Sequence, residues 1–445
     1  MSRRHLHLNV NILHAGFFAS AWRLPESRPS AFTEIAHYVK TAQIAERGKL
    51  DAVFLADTPS LAERPDLRSF LSLEPTIVLA SIAAATERIG LIATASTTYN
   101  EPYNVARRFA TLDHASGGRA GWNVVTTADA QASANFGLEA VPDHATRYAR
   151  AQEFTEIVRL LWDSWDDDAL VGDKAAARLI DPARLHAIDY HGRHLSVAGP
   201  LNLPRSPQGR PVLVQAGGSD DGRDLAARFA EVVFSVGQTP EESRAYADDL
   251  RRRAARYGRA PDTLVVLPGL ATVIGSTEAE AKRRREELTD LIPIAYGLSR
   301  LGATLGVDLT HYDLDAPLPE IAIPANGSTT FAQAILAHAR RDGLSLRQLI
   351  GSLGGGTGHR IVVGTPEQIA DDIEHWFRAG AADGFNLMPD VLPTGLETFV
   401  DTVVPILQQR GLFRRAYDGV TLRDHLGLNR PANHFAAGAP QRLSA

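Results

Sequence analysis

The chain has 445 residues, with 46 Lys and Arg against 52 Asp and Glu, a formal charge of −6. That balance gives no counterion-release term for a phosphate backbone, and no basic run exceeds Lys282–Arg285, so nucleic acid is not an expected partner. Cysteine is absent, which excludes disulfides, thiolate nucleophiles, iron–sulfur clusters and thiolate zinc sites and leaves redox chemistry to a bound organic cofactor.

The start, Met1-Ser2-Arg3-Arg4, carries the paired arginines of an export signal. Leu6, Leu8, Val10 and Ile12 then alternate with His5, His7, Asn9 and Asn11, which is strand patterning and not an apolar signal core. The segment is expected in the mature chain, and the protein in the cytoplasm. No stretch reaches the ~18 uninterrupted apolar residues of a spanning helix, so no membrane partner is expected. The sequon at Asn326-Gly327-Ser328 is idle without secretion.

Short apolar runs alternate with amphipathic stretches along the chain, the pattern of βα units closing a parallel sheet. The spacing predicts strands at Leu6–Leu13, Ala52–Ala56, Ile89–Ala95, Trp122–Val125, Val212–Gln215, Val232–Val236, Leu264–Ile274 and Phe385–Met388. Eight is the barrel number. Helices are predicted over Thr33–Arg47, Pro75–Thr86, Tyr103–Ala115, His144–Trp162, Asp221–Ala230, Glu241–Tyr257, Pro366–Ala379 and Glu397–Gln409. Thr365-Pro366 opens one of them with an N-cap and a proline at the first helical position.

Residues 1–445 read as one barrel domain with two insertions and an extension. Residues 166–210 are polar and rich in Pro and Gly, and His191–Val197 reads as a hairpin over the barrel. Residues 277–359 hold two helical patterns, a link with Pro317, Pro319 and Pro324, and the cluster Gly351–Gly358, and they are expected to act as a lid. The extension from about residue 411 is expected to pack on a neighbour or to fray.

Motifs for P-loops, zincins and α/β-hydrolases are missing, and no metal site is expected. Gln215-Ala216-Gly217-Gly218-Ser219-Asp220 says more, because it joins a strand to a helix. Its glycines permit close backbone approach, and free N–H groups at the helix N-terminus beside Ser219 form an anion site where a barrel holds cofactor phosphate. Equally, Ser219 caps its helix and the glycines turn the chain. Asp57 ends the second strand and either lines the mouth or caps the next segment. Thr94 opens a hydroxyl-dense run to Asn100 that suits a polar ligand edge or a solvated turn. His144 and Tyr148, four apart on one helix face, either clasp a phosphate or ring edge or form a surface pair. Trp122 reads as packing.

Together these blocks resemble a known group. Ala45–Asp51 with Phe54–Asp57, Thr97–Tyr103, Leu112–His114, Gly118–Thr126, His144–Ala151, Gly199–Asn202, Gln215–Ser219 and Val363–Gln368 are similar to the nitrilotriacetate monooxygenase component A and dibenzothiophene sulfone monooxygenase family, within the bacterial-luciferase-like flavin monooxygenases. The resemblance implies an α/β fold, a (β/α)8 TIM barrel with insertions. It also implies a two-component monooxygenase that takes reduced FMN (FMNH2) from a separate NAD(P)H:flavin reductase and oxygenates a small organic substrate with O2 through a C4a-peroxyflavin. Association into a dimer or tetramer is expected with it.

Carried over residue by residue, the resemblance puts FMN contacts on Asp57 and Thr94 near the ring, His144 and Tyr148, and Ser219, with Gly218, at the phosphate. His14 on the first strand and His311 in the second insertion are candidate proton donors or substrate contacts, with structural histidines as the alternative. Phe18 stands ahead of Trp22-Arg23 where several members of the resembled family carry a histidine, a departure that implies either a different substrate or a different way of holding the peroxyflavin. An F420-dependent oxidoreductase on the same barrel and a non-catalytic flavin-binding protein are the alternative readings.

Overall fold

Leu8 and Val10 leave one side of the first strand for a core shared with helices, so Asn9 and Asn11 leave the other. That strand, β1 (His7–Asn11), opens a computed structural model that describes residues 5–61, 65–66, 73–321, 329–354 and 358–436. Pro324, Asn326 and Gly355–Thr357 lie outside those residues. In chain order follow β2 (Ala52–Leu55), β3 (Gly90–Ser96) and β4 (Ala120–Val125). Two hairpins come next, β5 (Leu170–Asp173) with β6 (Arg178–Ile180) and β7 (Tyr190–His191) with β8 (Ser196–Val197). The last strands are β9 (Val212–Gln215), β10 (Val232–Ser235), β11 (Val265–Ile274), β12 (Arg360–Gly364) and β13 (Gly384–Pro389).

Eight of these close a parallel barrel in the order β1-β2-β3-β4-β9-β10-β11-β13, with β13 back on β1. They are the eight strands expected from the sequence. The ninth, β12, pairs with β11 over Leu270–Ile274, beyond the stretch Val265–Pro268 that pairs with β10.

Around the barrel run α1 (Ile35–Arg47), α2 (Pro75–Ala85), α3 (Pro102–Ser116), the short α4 (Ala130–Asn135), α5 (His144–Trp162), α6 (Asp220–Phe229) and α7 (Pro240–Arg256). The second insertion contributes α8 (Glu278–Asp290), α9 (Ile294–Leu305), α10 (Thr329–Asp342) and α11 (Leu346–Ser352) before α12 (Pro366–Arg378). Thr365 caps α12 in a full capping box with Gln368, as its Thr-Pro start promised. None of the described helices is long and apolar enough to cross a membrane.

Ala52, Phe54, Ile92, Val212, Val214, Val232, Val265 and Leu267 fill one part of the lumen and meet Leu422 and Leu426 of the C-terminal extension. The extension was expected on a neighbour or frayed. Through residue 436 it instead packs on its own barrel, with Arg423 paired to Glu231. One further expectation is corrected. Among its described residues the insertion carries four helices where two patterns were read, because apolar positions on α10 and α11 serve a second cluster with Phe17, Phe18 and Met388. The β7–β8 hairpin, expected over the barrel, packs on α5, where the Glu153 carboxylate accepts from the N–H groups of Arg193, His194 and Leu195.

Candidate active site

Chemistry in such barrels sits at the C-terminal ends of the strands. At the end of β3 Thr94 is buried, and its hydroxyl accepts from Asn123 Nδ2 of β4 at 2.9 Å. Trp122, one residue earlier, faces the other way among Phe109, Phe154 and Trp162 and donates Nε1 to the Ala95 carbonyl, so it is packing. Asp57 follows β2 and is partly buried. Burial and the nearby Glu74 carboxylate push its carboxyl up to about 6, against the pull of the Thr58 N–H and Arg108.

The other candidates meet between two helix N-termini. Ser219 is the N-cap of α6, its Oγ accepting from Gly222 N at 3.1 Å. The N–H groups of Gly218 and Ser219 donate to no described residue. His144 starts α5, with Nδ1 3.0 Å from Asp221 Oδ2 and its ring 4.6 Å from that of Tyr148. The Tyr148 hydroxyl lies 3.1 Å from where a Cβ on Gly222 would stand. His144, Tyr148, Gly218 and Ser219 are thus brought together as one cluster, while Asp57 and Thr94 stand on the strand ends β2 and β3. Free N–H groups at a helix start, with a hydroxyl and an imidazole beside them, suit an anion. The two acids of that first turn oppose it, but Asp220 is paired with Arg253 and Asp221 with His144.

The histidines separate. His14 lies past the end of β1, in a turn with φ of 34° and not on the strand. It is buried at the mouth, edge-on to Phe32 at 5.0 Å. His311 follows α9, its side chain 87% exposed and 3.6 Å from Asp308. No described contact joins it to the other candidates.

Sequence reasoning missed the lumen. Asn9, Asn11, Asn123 and Asn386 are buried there with amide atoms that have no hydrogen-bond partner among the described residues. Asn9 and Asn386 are in register across β1 and β13. Such groups suit the polar edge of a bound ring, since buried amides are otherwise satisfied. The signal was the alternation of polar residues along β1. Missed too was His359, stacked on Phe234 at 5.1 Å and lining a cavity of about 650 Å³ between Gly217-Gly218, α7 and α10. Burial pushes its imidazole down to about 4, so it is neutral.

A closed parallel barrel with long insertions between its strands is an enzyme scaffold, and this one is a luciferase-like TIM barrel. Residues 14–383 match the family described as luciferase-like monooxygenase, and the chain belongs to that family. It is 46% identical over 448 residues to nitrilotriacetate monooxygenase component A of Aminobacter aminovorans, covering 98% of this chain and 99% of that protein. Among solved structures it is similar to the EDTA monooxygenase of Chelativorans sp. BNC1, with a TM-score of 0.84, 38% identity and coverage of 96% and 99%. It is also similar to a riboflavin lyase solved with modified FMN and riboflavin, with a TM-score of 0.85, 34% identity and coverage of 95% and 96%. The chain is therefore an oxidoreductase, a flavin-dependent monooxygenase, as the resemblance implied.

Proposed function

We propose that this chain is the oxygenase of a two-component system that uses reduced FMN, supplied by a separate NAD(P)H-dependent flavin reductase, and O2 to oxygenate a small organic substrate. The observation that carries this reading is the meeting of His144, Tyr148 and the free Gly218 and Ser219 N–H groups between the starts of α5 and α6. The nitrilotriacetate relative is named a component A, which fits a separate reductase.

Bound reduced FMN supplies the electron pair that activates O2. The protein binds, orients and keeps the site dry. In this reading the Gly218 and Ser219 N–H groups and Ser219 Oγ hold the phosphate, with His144 and Tyr148 closing it from α5. Thr94 and Asp57 orient the polar edge of the ring. Asp57, with its carboxyl near 6, is partly protonated around neutrality and can hand on a proton at the mouth. His14, buried beside the same mouth, is the better placed of the two candidate histidines. The stacked rings of Phe234 and neutral His359 keep one wall uncharged and help exclude water.

A cytoplasmic setting is part of the same reading. The exposed Leu170, Val171 and Leu179 of the β5–β6 hairpin fit association into a homo-oligomer. The test is oxygen uptake with FMN, NADH and a generic flavin reductase across a panel of N-, S- and C-oxidisable substrates, scored by product mass. Substrate-coupled uptake is expected. Hydride transfer from a reduced deazaflavin without O2, or stoichiometric FMN retained through dialysis, would overturn the reading.

A further inference from the structure

Two side chains hold the backbone of the candidate anion site from behind. Tyr246 of α7 donates its hydroxyl to the Gly217 carbonyl at 2.6 Å, and Arg223 of α6 donates Nε to the Gly218 carbonyl at 3.0 Å. The pair is interlocked. The Arg223 guanidinium lies over the Tyr246 ring at 4.9 Å, and its Nη1 meets Asp249 of α7 at 3.1 Å. Both side chains line the cavity on the α7 side of the turn.

In a trans peptide the C=O and the following N–H point in opposite directions. Anchoring the Gly217 and Gly218 carbonyls toward α7 therefore turns the N–H groups of Gly218 and Ser219 away from it. The Gly217 N–H is used by Gln215 Oε1 at 2.6 Å, so the pair left free is the pair those carbonyls orient. Were either peptide to flip, a carbonyl oxygen would face the anion where a donor is needed. Burial holds the Tyr246 hydroxyl protonated well above the usual tyrosine range, so it donates at every working pH.

We propose that Tyr246 and Arg223 are positioning residues that fix the Gly217–Ser219 backbone with two N–H groups facing the cofactor phosphate. The proposal rests on the FMN reading above. It predicts an effect selective for the phosphate, because both side chains act on the turn carbonyls whose peptides carry the two N–H groups.

The experiment is anaerobic titration of the wild type and Tyr246→Phe with reduced FMN and with reduced riboflavin, which lacks the phosphate. Tyr246→Phe keeps the ring under Arg223 and removes one hydrogen bond. Reduced FMN is expected to bind about three- to tenfold more weakly, with riboflavin unchanged. Arg223→Met is expected to show the same selectivity, and Arg223→Lys to recover part of the loss. Equal weakening of both flavins, or no change in either, overturns the inference. A wild type that binds the two flavins equally well overturns the phosphate reading, and the inference with it.

Discussion

A Cβ added at Gly217 would stand 2.7 Å from the Gly222 Cα and 2.4 Å from Gln215 Nε2. The turn after β9 therefore lies flat against the first turn of α6, and this contact sets where the Gly218 and Ser219 N–H groups stand. No rotamer relieves a clash with a Cα. Gly217→Ala is expected to push the turn off the helix, costing about 1–3 kcal/mol of stability and about tenfold or more in reduced-FMN affinity. Urea denaturation and anaerobic titration read the two effects. A variant matching the wild type in both would show that the turn has slack.

Ser219 caps α6 through the bond from Gly222 N, and a hydroxyl that accepts one hydrogen bond still has its own proton to donate. The cap and the proposed phosphate contact therefore would not compete. Ser219→Ala is expected to lose ~1 kcal/mol of stability and about ten- to a hundredfold in reduced-FMN affinity. Ser219→Gly keeps the helix start within a few tenths of a kcal/mol but lacks the hydroxyl. Equal affinity loss in both variants identifies the hydroxyl contact. Loss in the alanine variant alone traces to the cap, and wild-type affinity in both removes Ser219 from the site.

The barrel strands were legible because a parallel strand buried on both faces reads as an apolar run. Val212–Gln215 and Val232–Ser235 are of this kind. The β5–β6 hairpin was not legible, since Leu170, Val171 and Leu179 are exposed and no buried face imposes a period. The Gly-Gly-Ser turn announced itself because its chemistry is local. Asn9 and Asn11 did not, because a polar residue facing a barrel lumen is indistinguishable in sequence from one facing water. Tyr246 and Arg223 were invisible for a different reason. Each sits on an amphipathic helix where its residue type is ordinary, and only the tertiary fold brings it to a peptide carbonyl.

Asp57 sets a pH dependence whose sign follows from its environment. Its folded-state pKa is raised from 3.8 to about 6, mainly by burial and then by Glu74. The unfolded chain binds that proton less tightly, so the associated stability is fully present below about pH 4. It is lost as pH rises through about 6. Asp57→Asn cannot ionise, so its melting temperature relative to the wild type is expected to rise between pH 4 and pH 7 in the flavin-free protein. A constant difference across that range would show that Asp57 keeps an ordinary carboxylate pKa.

Arg285 of α8 ties down the start of the Gly351–Gly358 cluster, within the insertion expected to act as a lid. It donates to the carbonyls of Gly351 at 2.6 Å and Ser352 at 3.1 Å, and its guanidinium lies over the Phe18 ring at 4.7 Å. Ala19 N adds a bond to the Gly354 carbonyl at 3.1 Å. Burial pushes the Arg285 guanidinium down to about 10, which leaves it charged at working pH. Phe18 thus serves as the platform for this clamp. If the insertion shields the reacting centre from water, the clamp joins it to the first barrel loop, and breaking it should expose the site without touching the proposed phosphate cradle. Arg285→Leu is expected to raise the hydrogen peroxide released per NADH consumed in the reductase-coupled assay, with reduced-FMN affinity unchanged. Peroxide at the wild-type level would make the clamp a purely structural tie, and affinity falling in step with product would place Arg285 in the cofactor site.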